Sequence, residues 1–453
     1  MRQVIRPNTK IQLRNENKAG PGCFLLNTIP YNYRIFPVPS YFISISSIML
    51  YAAIVWFGSR ERARILSWIR QWPQNPTLFA IWLIWLGFLL VFAPLSYHEA
   101  DMGVWRTSIQ NLLNGELLPE NYVYLPVYAW LQSALVFPFH LLGWDSPLLI
   151  VYVVKWFTIL AYAACAALMS GFLPKHSDLA PLGIVLAPVA IFYLFFGANH
   201  IVMFLFLLIA LILVKKEHWL WAGFFAAFSC YKFLLVPTCI TLGILVLWQY
   251  GFKNAIRFLL GSAIFMIPNT IYYFFDTATL LRIVTQQAAI GAHAAHIEPF
   301  HFFYLISNQF NGFEAWYIGK KIWFLLSLAG IPISLILFKL KRVNLLQCLA
   351  LSYAFVALFA LEPFRLEPLI GLVWLDAVNR DDLPLQSSVF LTLFIHAAAW
   401  YDLANSAFLT FDPAIPADYW AGRGFYLGLT VILMIGVMVI KRHPENPVYL
   451  RLL

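Results

Sequence analysis

An all-α, polytopic bundle of about 12–13 membrane-spanning helices is the fold class this sequence predicts. Three observations carry the reading. Charged residues make up 11% of the 453 positions, against roughly 25% in ordinary soluble domains. Hydrophobic residues make up 61%, more than the interior of a soluble particle of this size hides. The apolar residues also fall into runs close to the roughly 20 residues needed to cross hydrocarbon. The same arithmetic excludes disordered, collagen-like, coiled-coil and disulfide-rich secreted chains.

The runs lie at about 41–57, 78–96, 123–142, 148–172, 179–197, 199–214, 219–250, 255–275, 319–338, 343–361, 366–379, 385–405 and 423–440. The run 219–250 is too long for one span and too short for two full ones. Tyr231-Lys232 interrupts it, so two short or tilted helices are predicted to meet there. Gly424 and Gly428, four apart, predict a helix-packing face.

Orientation follows from Lys and Arg. Arg60, Arg62, Arg64 and Arg70, then Lys215 and Lys216, Lys253 and Arg257, Lys339, Lys341 and Arg342, and finally Lys441, Arg442 and Arg451 mark cytoplasmic positions. They fall on one side only if 123–142 does not cross. Pro126 and Pro138 fit a broken segment lying on the outer face. The organisation is thus a basic arm, 1–40, and a single transmembrane domain, 41–453, with outer loops at about 97–147 and 276–318. If 41–57 spans, the arm lies outside, against the charge rule. A surface-lying 41–57 removes the conflict, and the sequence leaves both open.

The net charge of +9 belongs to helix ends, so nucleic acid is excluded as a partner. Cys23, Cys165, Cys230, Cys239 and Cys348 show neither C-x-x-C nor zinc spacing.

The first outer loop is the richest in chemistry. Glu99 and Asp101 stand just past a span, and Val104, Ile109, Leu112 and Leu113 would give 101–114 an apolar face lying on the membrane. A carboxylate there can act as general base toward a hydroxyl; the alternative is an acidic orienting loop or a helix N-cap. Candidate cations are Lys232 within an apolar run, Lys155 about seven residues into its span, Arg106 and Arg365. Intramembrane charge is by default functional. The alternatives are snorkelling for Lys155, snorkelling or a backbone carbonyl for Lys232, and local ion pairs for Arg106 and for Arg365 between Glu362 and Glu367. His293, His296 and His301, with Glu298, invite a metal, but no H-E-x-x-H is present. A contact from His296 or His301 to a bound anion is favoured over a metal; the alternative is a solvated loop histidine. Asn199, His200, Asn308 and Tyr124 are candidates to hydrogen-bond hydroxyls of a bound molecule; Asn199-His200 and Asn308 alternatively cap helices.

Two stretches carry a family resemblance. One is the acidic pair, the helix after it, Asn114-Gly115 and Tyr124-Leu125-Pro126-Val127-Tyr128. The other is Gly197-Ala198-Asn199-His200, a helix, Lys215-Lys216, Trp221-Ala222-Gly223 and Tyr231-Lys232. Together they resemble the GT-C membrane glycosyltransferases, in particular glycosyltransferase family 87 and the polyprenyl-phosphate-mannose-dependent mannosyltransferases. The likeness covers about 80–260; beyond that it is hydropathy alone. It implies a GT-C-like bundle, an active face outside the cytoplasm, and inverting transfer of a sugar, mannose in those relatives, to a hydroxyl of a lipid or glycan acceptor. The donor would be a polyprenyl-phosphate sugar, and membrane lipids surround the site. By family position Asp101 is the favoured base and Glu99 the second, because Glu99-Ala100-Asp101 stands where the family has a lone Asp. No cofactor is assigned, and a divalent metal stays open. The rival reading is a transporter or lipid flippase, which should spread charge through several spans with inverted repeats. No repeat is present.

Overall fold

The computed structural model describes residues 76–95, 97, 99–114, 116, 118–119, 122, 124–144, 146–172, 180–185, 187, 190–191, 194–195, 197, 199–275, 313–359 and 367–379. Among them all regular structure is helical and no strand occurs. The helices are α1 (Pro76–Phe92), closed by a 3-10 turn at Ala93–Leu95, α2 (Glu99–Leu113), α3 (Pro126–Leu141), α4 (Pro147–Phe172), α5 (Leu182–Val185) and α6 (His200–Lys215). They continue as α7 (Trp219–Ser229), α8 (Val236–Tyr250), α9 (Phe252–Phe275), α10 (Phe313–Lys339), α11 (Leu345–Phe359) and α12 (Glu367–Asn379). The predicted spans 41–57, 385–405 and 423–440, and the Gly424/Gly428 face, lie outside the described residues.

The all-α expectation holds. Among the described residues one helix, Pro147–Ser170, is long and apolar enough to cross a membrane; shorter apolar helices there include Trp82–Leu95, His200–Lys215 and Leu345–Ala357.

α6 is apolar all round, and Ile201 through Leu208 are buried without interruption. A helix of that kind belongs in the middle of a bundle, and α4, α7 and α12 pack around it. α9 is different. It buries Ala255, Phe258, Phe265 and Asn269 but turns Phe252, Leu259, Leu260 and Ile267 outward. Its inner face meets α7 so closely that a Cβ at Gly223 would strike the Phe258 carbonyl, and one at Gly261 the Leu220 carbonyl. Small residues permit that approach. Ser262 adds a bond from Oγ to the Gly223 carbonyl, 3.0 Å.

The break expected in 219–250 is present: α7 ends at Ser229 and α8 begins at Val236. Between them Phe233 holds φ +64°, a left-handed conformation that a bulky residue adopts only when its surroundings impose it. Pro237 lies in the first turn of α8, where its missing N–H costs nothing.

Two expectations change. The segment 123–142 is not broken: α3 is continuous with Pro138 inside it. Pro126 starts the helix and Pro138 falls in its last turns, so the ladder loses little. The α2 face of Val104, Ile109, Leu112 and Leu113 packs on protein. Met102, Trp105, Ser108 and Ile109 are buried in protein, and Val104, Leu112 and Leu113 pack against that core.

Candidate functional site

α2 begins at Glu99, so Glu99 and Asp101 occupy its first turn, and neither is the N-cap. Carboxylates are favoured there by the positive end of the helix dipole. Their side chains lie outside the described parts. Position 101 stands one turn before Trp105 on the same helix face. The next residue, Met102, packs on Gly197. At φ +95° Gly197 suits a residue without Cβ, and a Cβ there would lie 2.7 Å from Met102 Cγ and Sδ and 3.7 Å from Lys155 Cε. The two sequence stretches that carry the family resemblance therefore touch.

They meet again in an aromatic cluster. The Trp105 ring stacks on Tyr124 at 4.9 Å and meets Tyr122 and Tyr128 edge-on at 5.8 and 5.2 Å. Tyr128 stacks face to face on Tyr231 at 3.8 Å. The Leu125 N–H donates to the Tyr231 carbonyl, 3.1 Å, fixing the loop to the α7–α8 break. The Tyr122 hydroxyl donates to the Leu125 carbonyl, 3.0 Å. Burial, with other tyrosines close by, pushes the Tyr122 phenol well above its ordinary range, so it stays a proton donor.

Lys232 projects from the break into this cluster. It is 4% exposed, and its Nζ lies 4.9 Å from the Tyr124 centroid and 5.4 Å from the Trp105 centroid. Such contacts orient an ammonium by about 0.5–2 kcal/mol each. The side chain is held inside protein and does not snorkel. Lys155 is likewise buried. Its Nζ donates to the carbonyls of Ala93, 2.5 Å, and Phe195, 2.8 Å. It ties the end of α1 to the chain entering Gly197, and snorkelling is corrected for it too.

Asn199 occupies the N-cap position of α6 but makes no capping bond. Its carbonyl accepts from the Tyr231 hydroxyl, 2.6 Å, and its Oδ1 lies 3.4 Å from Thr158 Oγ1. His200, also buried, has Nδ1 3.7 Å from Glu367 Oε1 at the start of α12. Arg106 is half-buried on α2. The structure thus gathers Tyr124, Lys155, Asn199 and Lys232 around one end of the bundle, with His200 next to Asn199 in the chain. His296, His301, Asn308 and Arg365 lie outside the described residues. Among the described residues no group of three or more His, Cys, Asp or Glu is placed to hold a metal.

Sequence reasoning passed over Trp105, Gln132, Tyr231 and Asn269 as site residues. Asn269 Oδ1 accepts the Val127 N–H, 3.0 Å, and Tyr272 Oη accepts the Leu118 N–H, 2.9 Å. These bonds seat the first loop on α9 across 142 and 154 residues of chain. Gln132, an amide in the mostly apolar run of α3, carried a local signal.

No family model matches the chain, and no solved structure matches it. Over 83 residues it is 36% identical to proteins described as probable alpha-galactosidase B from Aspergillus fumigatus and Neosartorya fischeri. The match covers 17% of this chain and 20% and 19% of those proteins. The chain thus spans about one fifth of the length of the curated relatives it matches.

Proposed function

We propose that the chain is a multi-pass membrane glycosyltransferase that moves a sugar from a polyprenyl-phosphate donor to a hydroxyl of a lipid or glycan acceptor, with inversion. The observation that carries the reading is Lys232, an ammonium buried over the rings of Trp105 and Tyr124; Trp105 follows Asp101 by one turn of α2. A base and a cation separated by aromatic surface are what sugar transfer from a phosphate needs. The acceptor hydroxyl gives its proton to the first-turn carboxylate, Asp101 or Glu99. Its oxygen bonds to the anomeric carbon while the bond from that carbon to the phosphate oxygen breaks. Polyprenyl phosphate leaves with the electron pair, and Lys232 meets the charge it gains. A fixed cation in a site poor in water is worth more there than in bulk.

The outward apolar face of α9 and the exposed Trp144, Trp156, Trp221 and Trp248 support a lipid-embedded bundle of about 12–13 helices. A GT-C-like arrangement, an extracytoplasmic site, and donor contacts from Arg106, Lys155, His296, His301 and Arg365 belong to the same proposal. The short alpha-galactosidase likeness, over 17% of this chain, supplies nothing to it.

The test is purified protein in nanodiscs with radiolabelled polyprenyl-phosphate-mannose and a mixed acceptor extract. Label should pass to an acceptor with inverted anomeric configuration. Absence of transfer from both mannosyl and glucosyl donors, with monodisperse protein, overturns the reading.

A further inference from the structure

Behind the Trp105–Lys232 cluster lies a group of buried polar atoms that the reaction above does not use. The Tyr128 hydroxyl and both amide atoms of Gln132 are buried and make no hydrogen bond of good geometry, although Tyr128 interacts electrostatically with both Gln132 and Tyr231; the Asn199 Nδ2 has no partner either. Tyr128 and Gln132 are four apart on α3 and share a face. Tyr128 stacks on Tyr231, whose hydroxyl reaches the Asn199 carbonyl. The phenols of Tyr128 and Tyr231 are also electrostatic neighbours. The four residues therefore form one patch, pinned at Leu125 and Val127 to the α7–α8 break and to Asn269.

A buried amide without partners is costly, on the order of several kcal/mol across its two ends. An apolar residue of the same shape would remove that cost, as Leu131 and Leu135 beside it illustrate. Retaining Gln132 there makes sense where something supplies the missing bonds. The chemistry of the patch specifies the ligand. Tyr128, Gln132, Asn199 and Tyr231 carry no formal charge. A primary amide offers a donor and an acceptor side by side, the complement of two vicinal hydroxyls. The rings of Tyr128 and Trp105, stacked on Tyr231 and Tyr124, wall the patch, and Lys232 stands near for a phosphate.

We infer that Tyr128, Gln132 and Asn199 form the subsite that reads the hydroxyls of the transferred sugar ring, with Gln132 as its specificity-determining residue. The inference rests on the proposed transferase reading for the identity of the ligand as the donor's sugar; the subsite itself rests on the orphaned polar atoms.

Nanodisc-embedded full-length protein and its Gln132→Leu and Tyr128→Phe variants test it. Tyr128→Phe keeps the ring stack and removes only the hydroxyl. Two readouts are taken: the ratio of transfer from mannosyl and glucosyl polyprenyl phosphates, and equilibrium binding of tritiated methyl α-D-mannopyranoside. Gln132→Leu should raise the apparent melting temperature by a few degrees, reduce the donor discrimination about tenfold or more, and weaken glycoside binding similarly. Tyr128→Phe should reduce discrimination and binding in the same direction by a smaller factor. Unchanged discrimination and unchanged glycoside binding in both variants overturn the inference and leave the atoms to ordered water. Should Gln132→Leu fail to fold, Tyr128→Phe decides alone. If wild-type protein transfers neither sugar yet binds the glycoside, and Gln132→Leu abolishes that binding, the subsite stands while the transferase reading falls.

Discussion

α12 carries a buried carboxylate at each end, and the two are used in opposite ways. Asp376, in its last turn, is closed by amides: Asn344 Nδ2 donates to Oδ1, 2.5 Å, and Gln347 Nε2 to Oδ2, 2.7 Å. The same two side chains cap α11 reciprocally. Asn344 Oδ1 accepts the Gln347 N–H, and Gln347 Oε1 accepts the Asn344 N–H, at 2.8 and 3.0 Å. This is a capping box with amides in both places, locked to a neighbouring helix. About 13 Å away along α12, Glu367 faces His200 at 3.7 Å, beside a region of ring-held ammonium and orphaned amides. A network that closes on itself specifies architecture. One that leaves donors and acceptors waiting specifies a visitor.

The largest effect expected from breaking the contrast is at the open end. Asp101→Asn keeps size and removes the proton acceptor, so transfer should fall on the order of 10²-fold or more, with the melting temperature unchanged. Glu99→Gln should cost less. Turnover at wild-type speed in both variants removes the base from the mechanism and with it the functional half of the comparison.

At the closed end the signs reverse. Asp376→Ala strands two buried amide donors, a loss of about 2–4 kcal/mol in stability by the usual cost of unmet buried groups. A lower melting temperature with turnover per folded molecule intact is expected. If activity falls while stability holds, Asp376 is part of the site and the two ends are not distinct.

How much of this was legible beforehand follows the range of the interactions. The α7–α8 break was readable because Tyr231-Lys232 interrupts an apolar run locally. The juxtaposition of 97–128 with 197–232 was readable only as a family likeness. The inward turn of α2 was not legible, since Met102, Trp105 and Ile109 suit lipid and protein equally. Nor was the seating of the first loop on Asn269 and Tyr272, or the pairing of His200 with Glu367, because sequence spacing says nothing about partners more than 100 residues away. The snorkelling alternative for Lys155 failed for the same reason: its carbonyl partners at Ala93 and Phe195 carry no side-chain signature.

Lys232→Met separates the two uses of buried polarity within one residue. If the ammonium serves the leaving phosphate, the variant folds as well as wild type and loses about 10- to 100-fold in transfer, while Lys232→Arg retains part of it. If the lysine serves packing, stability drops in the Met variant and turnover normalised to monodisperse protein persists. That second outcome would move Lys232 to the architectural side of the comparison.

The smallest expected effect sharpens the comparison most finely, because it divides one side chain. Tyr124 is half-buried; its ring lies under Lys232 and against Trp105, whereas the sequence alone suggested that it reads a sugar or acceptor hydroxyl. The two roles use different atoms. Holding the ammonium needs only the ring face, worth about 0.5–2 kcal/mol, or roughly 2- to 30-fold in donor KM. Reading a hydroxyl needs the phenol oxygen. Tyr124→Leu removes both and should raise the donor KM within that range while kcat changes little, since the ground state and the transition state both contain the phosphate. Tyr124→Phe keeps the face and should lose distinctly less. If instead Phe falls as far as Leu, the phenol oxygen is the working group, and Tyr124 joins Tyr128 and Gln132 as a reader of the sugar, leaving Trp105 as the ring that positions Lys232.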